Sequence, residues 1–419
     1  MYSKYRLIFC GSCRIMNRVL LYVVVKMHLL AAVFLFLAFF FGSVGVFNEE
    51  ASAAVVHGRG RGLQSFSVLP SGGEQTFTKF RVLKGVSSSS RVAPVEAGSV
   101  VVTLDDNGRL TAFDNDSGKI LWYVALAGGQ RSLYSASLLY SQGTVLCAID
   151  NFLYGLDPST GKIKWKSTLR SFLSGELVLV NEGDSVAALT IDSYLYVFDV
   201  ETGGLLWHHE EPGVEVRVSG ALSVAYLSRN GQDAVFVLFP DGKAKRLDSR
   251  SGDVLWESAV GEYNQGSVGD VRIAPVVVGD FVFAADGEGS LVCLSANTGE
   301  FIWSQGIGVR GISKVDEKTV FVITADSQLV ALDAESRVQL WSLTLQEIGK
   351  KRWSWNAPVM ANGKLWVLGS NGDLLGVSAL SGAVEEMYKL EAGHFYKPPV
   401  LIGGSLYATA GRDGLVVVS

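Results

Sequence analysis

The chain has 419 residues, 48% hydrophobic and 18% charged, with 47 glycines against 9 prolines. That is too apolar for a disordered chain and too poor in glycine for collagen. Five basic and two acidic side chains fall in residues 1–53, so of the net charge of −5 the remainder, 54–419, carries −8, which argues against nucleic acid as a partner.

The first element is an export signal. Arg14, Arg18 and Lys26 precede Leu29 to Val46, an 18-residue run without a charged side chain, and Ala51-Ser52-Ala53 then fits the small-x-small rule for signal peptidase. Residues 1–53 are therefore expected to be a signal peptide cut after Ala53. The alternative is a retained membrane segment, since the run is at the threshold for spanning a bilayer. Met16 and Met27 offer later starts. Residues 54–75, with GRGRG at Gly58–Gly62, read as a flexible leader. Cys10 and Cys13 form a C-x-x-C pair with no second pair to complete a metal site. No cysteine directly follows the hydrophobic run, so no lipid attachment site is visible there. Cys147 and Cys293 lie in apolar strand-like stretches and are expected to be buried free thiols.

Aligning the rest on its tryptophans reveals one repeated unit. GRLTAFDNDSGKILW ends at Trp122, NFLYGLDPSTGKIKW at Trp165, SYLYVFDVETGGLLW at Trp207, GKAKRLDSRSGDVLW at Trp256, GSLVCLSANTGEFIW at Trp303 and SQLVALDAESRVQLW at Trp341. A seventh copy, GDLLGVSALSGAVEE, has Glu386 in the tryptophan place. The spacings are 43, 42, 49, 47 and 38, then 45 to Glu386. Alternating apolar residues give a strand with a buried face. The following Asp (Asp157, Asp199) is expected to take backbone N–H groups two residues on and start a turn. The Gly after it (Gly118, Gly161, Gly203, Gly252, Gly299) supplies the positive φ of the reversal, and the Trp packs between neighbouring sheets. A second strand pair precedes most of these hairpins, as in Ala274–Ala284. Four short strands per unit, repeated, predict an all-β propeller over 76–419.

The two ends set the blade count. PPVLIGGSLYATAGRDGLVVVS offers three strands and stops, while Thr76–Leu83 supplies the missing outer strand, with Phe80 expected in the tryptophan place because 122 − 80 is 42. Seven whole units and one shared between the termini make eight blades.

Other groupings are weaker. His208 and His209 are adjacent on a strand and point to opposite faces, a poor metal pair. No nucleophile elbow or phosphate-binding loop is present, and the Asp-x-x-Thr-Gly variants lack the successive acids of a calcium loop. Trp353-Ser354-Trp355, preceded by Lys350-Lys351-Arg352, reads as the start of a blade strand, with a second protein-contact patch as the alternative.

The unit resembles the repeat of quinone-type (PQQ-like) propellers over nearly all of residues 76–419. The enzymes of that superfamily, the quinoprotein dehydrogenases, would imply a quinone, a calcium ion, a vicinal disulfide and long inserted loops. This chain has no adjacent cysteines, and spacings of 38–49 leave little room for insertions. No catalytic residue, cofactor or metal is therefore expected. A second resemblance is to the BamB-type propellers of the outer-membrane β-barrel assembly machinery. It is closest over 261–419, through VRIAPVVVGDFVFAADGEGSLVCLSANTGEFIW, DSQLVALDAESRVQLW, APVMANGKLWVLGSNGDLLGVSALSG and RDGLVVVS, and extends to the missing tryptophan at Glu386.

That likeness implies a non-enzymatic scaffold in the periplasm, at the inner face of the outer membrane. Its implied partner is the central β-barrel subunit, bound through that subunit's periplasmic repeats, with nascent outer-membrane proteins as a further partner. The family's first docking loop, apolar-x-apolar-Arg, matches Val214-Glu215-Val216-Arg217. Its second, Asp-x-Asp, resembles Asp270-Val271-Arg272, with Arg272 where a second acid is expected. Val214, Val216, Arg217 and Asp270 are the candidate partner-binding residues. Arg217 comes ten residues after Trp207 and Asp270 fourteen after Trp256, so both fall on connections from one blade to the next, on one face of the disk. Two rival readings are a PQQ-dependent dehydrogenase-like enzyme and a periplasmic chaperone that binds unfolded barrel strands directly.

Overall fold

A computed structural model describes residues 77, 79–83, 90–126, 133–211, 224–229, 232–239, 242–260, 273–286, 289–314, 316–345, 353–391, 393–411 and 414–419. The signal, the leader, Cys10 and Cys13 lie outside them. The described chain forms eight antiparallel four-stranded sheets and no α-helix.

Strand β1 (Phe80–Leu83) comes first. Blade 1 is β2 (Val95–Ala97), β3 (Val100–Leu104), β4 (Arg109–Asp114) and β5 (Ile120–Ala125), and blade 2 is β6 (Ala136–Ser141), β7 (Thr144–Ile149), β8 (Phe152–Leu156) and β9 (Ile163–Thr168). Blade 3 is β10 (Val178–Val180), β11 (Ser185–Leu189), β12 (Tyr194–Asp199) and β13 (Leu205–Glu210). Blade 4 is β14 (Val224–Leu227), β15 (Ala234–Leu238), β16 (Lys243–Asp248) and β17 (Val254–Ala259). Blade 5 is β18 (Val276–Val278), β19 (Phe281–Ala285), β20 (Ser290–Ser295) and β21 (Phe301–Gly306). Blade 6 is β22 (Val309–Lys314), β23 (Thr319–Thr324), β24 (Gln328–Asp333) and β25 (Gln339–Thr344). Blade 7 is β26 (Val359–Ala361), β27 (Lys364–Leu368), β28 (Asp373–Val377) and β29 (Val384–Lys389). Blade 8 is β30 (Val400–Ile402), β31 (Ser405–Ala410) and β32 (Gly414–Val418), completed by β1. The ring is thus closed by both ends of the domain, with Phe80 opposite Val418 and Leu83 opposite Leu415.

The tryptophans show how one blade grips the next. Each lies on a fourth strand and covers the turn glycine of the following blade: Trp122 over Gly161, Trp165 over Gly203, Trp207 over Gly252, Trp256 over Gly299 and Trp341 over Gly382. Their indole N–H groups donate to carbonyls in the same turns, Trp122 to Pro158 at 2.8 Å, Trp207 to Ser249 at 3.0 Å and Trp341 to Ala379 at 2.9 Å. Trp303 faces the turn where Arg337 replaces the glycine at φ 62°, and the guanidinium lies 5.7 Å from the ring centroid.

Blade 7 needs no tryptophan, because the blade after it has no such turn: its last two strands come from opposite termini. Glu386 occupies the place instead, ion-paired to Lys364 and accepting a hydrogen bond from the Tyr388 hydroxyl. Phe77 then packs on Trp366, with ring centroids 4.9 Å apart. At the other end of the seam the register corrects one expectation. Arg81, not Phe80, stands opposite Val417, the residue that aligns with the Glu386 partner Gly376. Leu83 takes over the covering of Gly118.

The seam also differs from the other blades in lacking a bulge. In each of the seven blades with a continuous outer hairpin the register shifts just before the tryptophan place, so Leu121, Lys164, Leu206, Leu255, Ile302, Leu340 and Glu385 are extra residues. The β1–β32 pair runs without one. Bulges bend the outer strands and blunt edges that would otherwise template further pairing.

The turn-starting aspartates accept mainly from the N–H three residues on, Ser117 to Asp114 and Thr202 to Asp199 both at 2.8 Å, so the expected two-residue reach holds only for cases such as Ser159 to Asp157. Hydroxyls add to this at Asp157, where Ser159 and Thr160 donate at 2.7 and 2.8 Å and hold the carboxyl down from the ordinary 3.8 to about 2. A carboxyl with a lower pKa folded than unfolded contributes stability in full above the unfolded value and loses it as pH falls through the folded one. The Asp157 carboxyl carbon should therefore titrate near pH 2 by NMR, with its small contribution lost between about pH 4 and 2. A midpoint near 4 would mean the turn does not hold the carboxylate. Cys147 and Cys293 are buried free thiols as expected, and burial pushes Cys293 up to about 12, far from reactive.

Candidate protein-binding face

Four strands per blade alternate in direction. The second-to-third turns and the blade-to-blade connections therefore share one face, and the remaining turns share the other. First strands of successive blades touch, β2 with β6 and β10 with β14, so they line the axis. The sequence between β13 and β14 contains Val214, Val216 and Arg217, and that between β17 and β18 contains Asp270. All four candidate residues lie outside the described residues. What is described is where these two connections start and end: Glu211 and Val224 for one, Val260 and Ile273 for the other, on either side of blade 4.

The first of these starts is heavily charged. Glu211, 4% exposed, lies 2.5 Å from the Lys245 ammonium and 3.4 Å from that of Lys243. Glu257 contacts both lysines, at 3.1 and 3.3 Å, and the His209 ring is 3.6 Å from Glu211. Burial works against the Lys245 charge, but hydrogen bonds to Glu211 and Glu257 outweigh it and raise its pKa. Burial also lowers the pKa of His209, with Lys245 adding to the effect. Nothing in the repeat pattern signals this cluster, since K-A-K-R in β16 reads as an ordinary alternating strand.

On the same face, Phe172 from the preceding connection and Tyr134 from the one before that stack with centroids 5.2 Å apart, and Tyr134 is 74% exposed. Beside them Arg170 lies over the Tyr194 ring at 4.5 Å. Exposed, rigid aromatic rings next to an arginine have the character of a protein-contact surface. Neither ring belongs to the repeat, so the tryptophan spacing gives no sign of this pair. Trp355, by contrast, is buried and pairs with Gly369, so it belongs to the core, while Trp353 is half-buried beside His394; Lys350, Lys351 and Arg352 lie outside the described residues. His208 and His209 occupy opposite faces, His208 stacked on Tyr196 and His209 turned toward blade 4.

A cavity of about 260 Å³ lies against the first strands of blades 8, 1, 2 and 3, lined by Val92, Pro94, Leu138, Leu177, Val400 and Ile402 among others. Lys397 and Glu176 form an ion pair of 2.5 Å among its lining residues. A quinone bearing several carboxylates, with a calcium ion, needs many cations and oxygen donors. This lining offers one lysine, already paired to Glu176, with Glu96 and Ser137 as its other polar side chains, and it does not fit such a group. Among the described residues no three His, Cys, Asp or Glu side chains come together as a metal set.

The family profile described as outer membrane protein assembly factor BamB matches residues 106–293 and 269–419. The assembly factor BamB of Yersinia pestis is 24% identical over 347 residues, 78% of this chain and 84% of the relative; that of Escherichia coli K12 is 25% identical over 338 residues, 78% and 83%. The crystal structure of BamB from Moraxella catarrhalis superposes with a TM-score of 0.63 at 18% identity, covering 82% of this chain and 96% of that one. A quinohemoprotein alcohol dehydrogenase from Comamonas testosteroni shares the fold at a TM-score of 0.59 and 12% identity, covering 82% and 75%. The ring alone therefore does not choose between scaffold and enzyme. The family match, spanning 106–419, does choose a lineage: this chain belongs to the BamB family of outer-membrane protein assembly factors.

Proposed function

We propose that this protein is an exported, non-catalytic scaffold of the outer-membrane protein assembly machinery. It works in the periplasm beside the outer membrane and binds the periplasmic repeats of the central barrel subunit. The observation that carries the reading is the family match across residues 106–419, nearly the whole ring. Docking would use Val214, Val216 and Arg217 from one connection and Asp270 from the next, an arginine fork and a carboxylate set among valines. The stacked Tyr134 and Phe172 extend the same face.

The test is binding of the purified chain to the purified periplasmic repeats of the barrel subunit from the same cell. Arg217→Glu should weaken it by at least about 100-fold, the scale of a hot-spot loss, with the ring's thermal midpoint unchanged. Full binding by both Arg217→Glu and Asp270→Arg would refute this face.

A further inference from the structure

Blade 4 differs from the other seven at two adjacent positions of its third strand. Lys245 and Arg246 are 6% and 7% exposed. The aligned pairs elsewhere are Thr111 and Ala112, Tyr154 and Gly155, Tyr196 and Val197, Val292 and Cys293, Val330 and Ala331, Leu375 and Gly376, and Val416 and Val417. None carries a charge. Buried charges cost free energy unless well matched, and seven blades pack these two positions without them. Their presence in one blade calls for a local reason.

The two side chains point in opposite directions. Arg246 reaches forward to blade 5, donating to the Ala296 carbonyl at 3.2 Å beside the Trp256 indole, which donates to the same oxygen at 3.0 Å. Lys245 reaches back to blade 3, where its partner Glu211 is the residue that directly follows β13 and begins the connection to β14. Glu211, Lys245, Glu257 and Lys243 close a ring of four alternating charges, each acid within 3.4 Å of both lysines. One segment of connecting chain is thereby clamped to blade 4 by charges placed where the fold does not require them.

We infer that Glu211, held by Lys245, Lys243 and Glu257, is a positioning residue for docking: it fixes where the chain carrying Val214, Val216 and Arg217 leaves the ring. The inference rests on the docking reading above. Under that reading blade 4 stands between the two docking connections, one beginning at Glu211 and the other after Val260. A partner that must touch both needs their separation fixed beforehand, because ordering them during binding would weaken association. Lys245 on one side of the blade and Arg246 on the other fasten blade 4 to both neighbours, so the two departure points share one rigid support.

Binding of the full chain to the purified periplasmic repeats, compared per folded molecule, tests this. Glu211→Gln and Lys245→Met should each weaken binding roughly tenfold, and each leaves a buried charge less well matched. The double variant Glu211→Gln/Lys245→Met removes both charges. Its thermal midpoint should recover toward that of the unaltered protein, since neutral replacement of a buried pair is often tolerated, while its binding stays roughly tenfold weak. A purely structural role would restore both together. Arg217→Glu serves as the separate arm. If it abolishes binding while the double variant binds normally, Glu211 does not position the docking chain and the inference fails alone. If Arg217→Glu binds fully, the docking reading fails and takes the inference with it.

Discussion

A chain that starts after Leu83, and so lacks β1, is expected to lose cooperative folding or to melt far below the full-length protein. The strand supplies four register pairs to β32 and buries its apolar side chains on two sides of the seam. Leu83 covers Gly118 of blade 1, while Phe80 and Val82 pack against the cluster formed by Trp366, Tyr388 and Leu406 in blades 7 and 8. Phe77, 1% exposed, adds an aromatic contact to Trp366, and its N–H donates to the Tyr388 hydroxyl at 3.3 Å. Four such side chains at about 1.5–2 kcal/mol each amount to about 6–8 kcal/mol. That is comparable to the whole net stability of an ordinary domain. It would also expose both β32 and the open side of blade 1. A thermal melt followed by circular dichroism reads the loss, and a synthetic peptide of residues 76–84 should bind the shortened chain and restore part of the transition. A shortened protein that melts within a few degrees of the original would show that the seam contributes little.

The second large effect is at the turn glycines. Gly203→Ala should cost about 3–4 kcal/mol, and Gly98→Ala only about 1–2 kcal/mol. Both glycines have nearly the same φ, +69° and +70°, so the backbone penalty for an L side chain is shared. The surroundings differ: a Cβ on Gly203 would lie 2.4 Å from the Trp165 ring, whereas one on Gly98 meets nothing within 4 Å. The difference between the two variants, read from urea midpoints at equal slope, isolates the cost of moving the tryptophan off its turn. Equal losses would mean that the indole moves aside freely and that the blade contact is looser than its geometry.

Much of this architecture can be read directly from residue spacing. The tryptophans repeat because each meets a turn one blade further on, so a single contact fixes both the period and the glycine. The same logic explains Glu386, whose missing indole marks the one blade followed by a seam. The step from Phe80 to Arg81 escaped the spacing argument because spacings of 38 to 49 residues, set by connections of unequal length, do not resolve a single position. The cluster around Glu211 was hidden for a different reason. Its members come from β13, β16 and β17 and from the residue after β13, and a charge that alternates along a strand looks solvated until the neighbouring blade is known to cover it. Tyr134 and Phe172 likewise become neighbours only because successive connections emerge side by side. Long-range juxtaposition, not local propensity, made these features and kept them out of the sequence pattern.

Strand β1 runs antiparallel to β32, and Lys79 and Ser419 exchange backbone hydrogen bonds of 2.7 and 2.9 Å at its first end. Third strands such as β32 descend from the face of the blade-to-blade connections, so β1 climbs toward it and the first end of β1 lies on the reverse side. Strand β1 therefore begins on one side of the ring and ends on the side of the connections. A pull applied at that first end would load the four β1–β32 pairs together, in shear, instead of peeling them singly.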